Sequence, residues 1–278
     1  ITEIRGILNG TCNFVLDQMT MHGAAYEQAV KDAQQAGYAE ADPSFDVDGI
    51  DAAQKLAILA TLAFDGVVDE SLISVTGISG ITPSDIDAAR RLGCAIKLVC
   101  SANRENGQVT LRVSPTFVPQ THPFAAAEGA GNAVSVKADP LGELLFTGPG
   151  AGAGATAAAV AADICAIVQC GAVSVFPQRA EDLGPLEYAD ASALKEAYAV
   201  LLRMADRTEA GQQVSAEFEA LNIPIRYCDE NDGEITLVTS SVTESRLQAA
   251  QNKLISQGLA AEIRAFPLLS DPITENKT

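Results

Sequence analysis

The chain has 278 residues, 47% of them hydrophobic, which gives it the length for one large domain or two ordinary ones and the apolar content for a core. Its 36 acidic residues against 18 basic ones leave a formal net charge of −18, and no Lys/Arg block offsets it, so nucleic acid is excluded as a partner. No uninterrupted apolar run reaches about 18 residues, which argues against a membrane span. The six cysteines include no Cys-x-x-Cys pair and only two histidines accompany them, which argues against a metal site and for free thiols in the cytoplasm.

The chain opens Ile-Thr-Glu-Ile, with neither an initiator Met nor a signal-peptide pattern, so an upstream segment is expected to have been removed. After the turn-prone pair Asn9-Gly10, Phe14, Val15 and Met19 recur at helical spacing and predict a helix over Thr11 to His22. Tyr26 to Ala36 is a second amphipathic helix, stopped by Gly37. Asp42-Pro43 forces an extended or turn conformation. One long helix is then predicted from Val47 to Phe64, and Pro83 opens a shorter one to Leu92.

From Gly93 the texture turns to strand. Ala95 to Ser101 and Val109 to Val118 flank Asn106-Gly107, a hairpin signal, and Asn132 to Lys137 and Leu141 to Thr147 add two more strands. The glycine run 148–154 leads into an Ala-rich helix to Val168, which reads as buried. Residues 179–194 read as a polar linker. Beyond it the pattern β-α-β-β-α-β fills about 75 residues, a ferredoxin-like arrangement. The fold class is therefore α+β: a mainly antiparallel sheet covered by helices in a first domain, residues 1–178, and a second domain over residues 195–278.

Chemistry concentrates between Ala33 and Lys55, where Glu40, Asp42, Asp46, Asp48 and Asp51 precede a single lysine. Like charges this dense repel one another, and partly buried carboxylates lose solvation unless a cation answers them. Asp51 and Lys55, four residues apart, share a helix face, with Asp48 expected one turn earlier on the same side. A lysine flanked by carboxylates suits proton transfer to an alcohol or carbonyl oxygen, and the loop acids could hold an ammonium group. The spacing fits equally a solvated i,i+4 ion pair with acids favouring a helix N-terminus. The glycines at 148–154 would let backbone approach a cofactor, or simply let an Ala-rich helix pack closely.

The run GYAEADPSFDVDGIDAAQK, Gly37 to Lys55, resembles the signature of the homoserine dehydrogenase family at every defined position, from Ala33 and Gly37 through Tyr38, Asp42, Asp46, Gly49 and Asp51 to Lys55. GILNGTCNFVL at 6–16 and GPGAGAGATAAAVAADI at 148–164 are similar to the same family, in the expected order, so the likeness covers residues 1 to about 175. It implies oxidation of L-homoserine to L-aspartate 4-semialdehyde with NADP or NAD, and the reverse. It makes Lys55 the proton donor and acceptor, has Asp51 orient the reacting hydroxyl, and gives the substrate ammonium to Glu40, with Asp46 and Tyr38 completing that pocket. Gly152 becomes a cofactor contact.

The same family normally begins with a nucleotide-binding domain that would hold most of the cofactor. Its dinucleotide fingerprint and an additional junction lysine are missing here, so this chain is expected to be a truncated form that turns over little alone. The C-terminal pattern, LLRMADRTEAGQQVSAEFEALNIPIRY followed by GEITLVTSS, resembles an ACT domain and implies feedback by an amino acid such as threonine. It departs from the pattern at Thr208-Glu209 and at Asn222. The expected assembly is a homo-oligomer, dimer or tetramer; the alternative to the enzyme is an inactive amino-acid-binding or dimerisation module. His122 is read as structural, Cys12 as no nucleophile, and Lys97 as half of a structural ion pair.

Overall fold

The computed structural model of the chain describes residues 1–171, 182–190, 192, 194–204, 210–231 and 233–269. Its contacts divide into two units, one formed by 1–80, 97–114 and 126–189, the other by 81–96, 115–125 and 190–278. In chain order the elements begin with β1 (Glu3–Ile7), α1 (Gly10–His22), α2 (Tyr26–Gln35), α3 (Ser44–Val47), α4 (Ile50–Phe64), β2 (Ser74–Val75) and α5 (Pro83–Arg91). They continue with β3 (Cys94–Glu105), β4 (Gln108–Pro119), β5 (Gly131–Ala138), β6 (Gly142–Pro149), α6 (Ala153–Cys170) and β7 (Glu187–Tyr188). The last are β8 (Lys195–Glu196), β9 (Tyr198–Met204), α7 (Ala210–Ala220), β10 (Ile225–Asn231), β11 (Glu234–Thr239), β12 (Val242–Thr243), α8 (Glu244–Ser256) and β13 (Ala260–Pro267). The protein is thus a mixed α and β chain.

In the first unit a sheet runs in the order β2-β4-β3-β1-β5-β6, with β7 on β4. The Asn106-Gly107 pair makes the β3–β4 turn with both φ angles positive, 52° and 85°, the combination whose twist matches a two-residue hairpin. β1, only five residues long and carrying Arg5 and Gly6, lies mid-sheet, antiparallel to β3 on one side and β5 on the other. Neither its length nor its alternation marks it in the sequence; its neighbours supply the pairing. Val15, Leu16 and Met19 of α1 and Leu56, Ala60 and Phe64 of α4 are buried, as are residues 94–102 of β3.

Two expectations fail in this unit. The helix predicted from Val47 to Phe64 starts only at Ile50, and Val47 instead ends a separate short helix, α3; the two are parted at Gly49, whose φ of +83° strains any residue with a side chain. The amide of Ile78 donates to the Val47 carbonyl at 2.7 Å and secures the end of α3. The helix read as buried, α6, is exposed along its length apart from half-buried Ala155. It carries a mean hydropathy of 1.6 over 18 residues, long and apolar enough by those measures to cross a membrane. Val160, Ile164, Ile167 and Val168 meet solvent because no described segment of this chain packs over them.

In the second unit four antiparallel strands take the order β10-β11-β9-β13, with α7 and α8 in the connections. Tyr198, Val200, Leu202, Val214, Phe218, Leu237 and Leu254 belong to one buried cluster. α5, also in this unit, is opened by a reciprocal Thr82–Asp85 cap with Pro83 in its first turn. Arg264 pairs with Asp85 at 2.7 Å and lies over the Phe266 ring. Part of the predicted linker, and Asp206 to Glu209 of the ACT-like pattern, lie outside the described residues.

Candidate active site

The residues singled out by the sequence come together around one cleft of ≈ 880 Å³ in the first unit, lined by Tyr38, Glu40, Asp42, Asp46, Asp51 and Lys55 and by Pro149, Ala151 and Gly152. Three local structures build it. α1 begins at its floor; the turn between α2 and α3 brings Tyr38 to Asp42; α4 presents Asp51 and Lys55 from its first turns. At the start of α1, Gly10 lies so near the backbone of Ala130 that a side chain there would meet the Ala130 carbonyl oxygen at 2.8 Å. Only glycine allows that approach.

Lys55 Nζ lies 2.8 Å from Asp51 Oδ2 and 3.3 Å from the Leu8 carbonyl oxygen. The pair is partly exposed, Lys55 about half so and Asp51 by 21%, which leaves both within reach of a ligand. Asp46, from α3, reaches the same place because the break at Gly49 turns the chain between it and Asp51. In one continuous helix, residues five apart would point to different faces. Asp48, expected beside Lys55, instead approaches Ser79 Oγ at 3.5 Å and does not line the cleft. The same break carries it away.

The Tyr38–Asp42 segment is held by its backbone. Thr11 Oγ1 donates to the Tyr38 carbonyl at 2.7 Å, and Gln34 Nε2 to the carbonyls of Glu40 and Ala41. The Tyr38 ring rests against Phe14, centroids 4.9 Å apart. Asp42 accepts from the Ser44 hydroxyl and amide, and these bonds hold its carboxyl below the usual range. Four carboxylates therefore face one lysine among the charged lining residues, a field that favours a cationic ligand.

Ala130 and Gly131 also line the cleft, and the 127–131 segment that carries them is fixed from behind. Asn13 Nδ2 donates to the carbonyls of Ala127, Gly129 and Gly131, and Lys97, 3% exposed, donates to Asn13 Oδ1 at 2.9 Å and the Ala127 carbonyl at 2.8 Å. Burial pulls the Lys97 ammonium below its usual pKa, with Asp17 and Glu128 opposing. Lys97 is thus held by an amide and a carbonyl rather than in the ion pair the sequence suggested. A buried ammonium needs acceptors for its hydrogens, and the Asn13 side chain and the Ala127 carbonyl supply two of them.

Cys12 is fully buried beneath the cleft, its Sγ donating to the Asp46 carbonyl, and burial pushes its thiol well above the usual pKa. That removes it as a nucleophile. His122 Nδ1 accepts from the Phe124 amide, a local turn contact. Among the described residues no group of three or more His, Cys, Asp and Glu is placed to hold a metal ion, and all six cysteines are free thiols. Asn9, which the sequence reading used only as a turn former, lies among the cleft residues, 4% exposed.

The model of the homoserine dehydrogenase family matches residues 1–165. A homoserine dehydrogenase of Bacillus subtilis is 36% identical over 276 residues, covering 95% of this chain and 63% of its own length. The crystal structure of a homoserine dehydrogenase from Thiobacillus denitrificans superposes with a TM-score of 0.89 at 34% identity, over 98% of this chain and 64% of that one. A hyperthermophilic archaeal homoserine dehydrogenase, solved in complex with NADPH, matches with a TM-score of 0.51 at 27% identity, over 61% of this chain and 48% of that one. The chain belongs to the homoserine dehydrogenase family. It spans a little under two thirds of the length of the first two of these relatives.

Proposed function

We propose that this chain is the substrate-binding and proton-transferring part of a homoserine dehydrogenase, interconverting L-homoserine and L-aspartate 4-semialdehyde with NADP or NAD. The observation that carries the reading is the Asp51–Lys55 pair opening into the same cleft as Glu40, Asp42 and Asp46. An α-amino acid brings the ammonium these carboxylates lack, and its side-chain oxygen can then reach Lys55, the one cation lining the cleft among the described residues.

In this reading Glu40 and Asp46 hold the ammonium, with Tyr38 closing that end. Asp51 accepts a hydrogen bond from the substrate hydroxyl and keeps Lys55 Nζ turned to the same oxygen. During oxidation Lys55 Nζ, once it has passed one proton to solvent, takes the proton of the hydroxyl that Asp51 orients; during reduction Lys55 Nζ–H returns it to the carbonyl oxygen. The nicotinamide, when bound, supplies the acceptor or donor of the hydride that leaves or joins the same carbon. Its site is tested by the 150–152 loop: a side chain at Gly152 would meet nothing within 4 Å, and no side chain caps the first turn of α6, so backbone lies open there. That fits the nicotinamide end, with Gly152 as the contact. The cofactor's phosphates do not fit a cleft lined by four carboxylates, and we assign them to the part of the relatives' length that this chain does not match.

We read residues 1–178 as the catalytic and dimerisation domain, 179–194 as a linker and 195–278 as an ACT-like module sensing an amino acid such as threonine, in a cytoplasmic homo-oligomer. The sheet order of β9, β10, β11 and β13 supports the last domain. The test is homoserine-dependent reduction of NADP or NAD by the complete gene product that carries this sequence. Turnover there supports the reading. Its absence with both cofactors, in a folded protein, overturns it in favour of an inactive sensor or dimerisation module.

A further inference from the structure

Asn9 stands where β1 gives way to α1, and its side chain is shared between two tasks. Its Oδ1 accepts from the Cys12 amide at 2.7 Å and caps α1. Its Nδ2 donates to Asp46 Oδ1 and to Asp51 Oδ2, both at 2.7 Å. The orientation of this amide is dictated, since a backbone N–H can only donate and the atom facing Cys12 must therefore be the oxygen. Both hydrogens of the nitrogen are then committed to the two acids. Asp51 Oδ2 receives a second donor from Lys55 Nζ.

We propose that Asn9 is a positioning residue for the reaction: one neutral amide draws Asp46 and Asp51 together and selects which oxygen of each is left to the substrate. The inference rests on the function proposed above. Two carboxylates on separate helices repel each other and would swing apart or turn both oxygens to solvent. A lysine in place of Asn9 would gather them but cancel the charge that attracts an ammonium. An aspartate would add a third repelling charge. The primary amide supplies two donors and no charge, so Asp46 keeps one oxygen for the ammonium and Asp51 keeps Oδ1 for the reacting hydroxyl. Among the described residues neither of those oxygens has a protein donor. This anchoring also explains why Lys55 needs no other side-chain partner: its acid is fixed from the far side.

The two tasks of Asn9 separate by substitution. Asn9→Ser and Asn9→Asp both keep an oxygen that can cap α1, and neither keeps the two donors; Asn9→Ala loses both tasks. In the complete gene product, Asn9→Ser is expected to hold the wild-type Tm while kcat for homoserine falls by about 10²-fold, the scale of a reacting group displaced by an ångström. Asn9→Asp should fall at least as far in kcat and also raise KM. Asn9→Ala should add a loss of about 2–4 °C in Tm from the missing cap. Wild-type kcat in Asn9→Ser would make Asn9 a helix cap and nothing more, and would overturn the proposal. Should the unsubstituted protein itself lack homoserine turnover, that failure belongs to the proposed function. The role of Asn9 is then decided by the crystal structure of Asn9→Ser: carboxylates of Asp46 and Asp51 rotated apart support it, and carboxylates left in place overturn it.

Discussion

In the C-terminal unit α7 and α8 join four strands in one cluster, where Val214, Phe218, Leu237 and Leu254 are fully buried; in the N-terminal unit β6 and α6 leave Phe146, Ile164, Ile167 and Val168 in solvent. The helices of the two sets differ both in apolar content and in its arrangement. α8 buries Leu247, Ala250 and Leu254 on one stripe and is mostly polar elsewhere, Ile255 excepted, whereas α6 is Ala, Val and Ile nearly all round, with Asp163 its lone charge. A stripe is satisfied by one neighbour, while a helix apolar on every side needs covering on every side. The first unit therefore leaves two surfaces open, a charged cleft and a bare helix, while the second buries its apolar residues in its own core.

If that contrast is right, substitutions in the two places should separate activity from stability. The largest effect belongs to Lys55→Ala in the complete gene product, expected to cut kcat by about 10²–10⁴-fold with Tm unchanged, since the side chain is half exposed. A fall in Tm of comparable weight would place Lys55 on the structural side. Phe218→Ala should cost about 3–5 kcal/mol in chemical denaturation, with kcat per folded molecule preserved. A lower kcat in that variant would show that the C-terminal core governs the cleft. Glu40→Gln is expected to raise KM for homoserine about tenfold, roughly 1.4 kcal/mol of binding, and to leave kcat alone; an unmoved KM would assign the ammonium elsewhere. The smallest effect on folding should come from Ile164→Glu. Stability should stay within about 0.5 kcal/mol while light scattering by this chain alone declines. A larger loss of stability would mean that α6 is buried in solution.

Much of this was legible in the sequence. The periodicity of α1, α2 and α5 and the Asn106-Gly107 turn are local signals; those helices and β4 are present within a residue or two of their predicted bounds, while β3 runs on to Glu105, four residues past its predicted end. The acids that line the cleft with Lys55 were legible too, because a charge cluster is a property of spacing. What escaped depends on distant partners. β1 is a strand because β3 and β5 flank it, not because of its five residues. The break at Gly49 hides in a run that is otherwise good helix, and with it the departure of Asp48 from the site. Asn9 looked like punctuation before a helix; its contacts to Asp46 and Asp51 span 37 and 42 positions and leave no periodic trace. The exposure of α6 escaped because composition reports that a surface is apolar, not whether anything lies against it.

The 127–131 wall has a consequence for binding itself. One amide grips three of its carbonyls and a buried ammonium grips that amide in turn, so this side of the cleft is finished when the chain folds. A ligand arriving there has no loop to freeze. The conformational entropy of those residues is lost already on folding, so binding of any ligand in the cleft should carry little ordering cost from that wall.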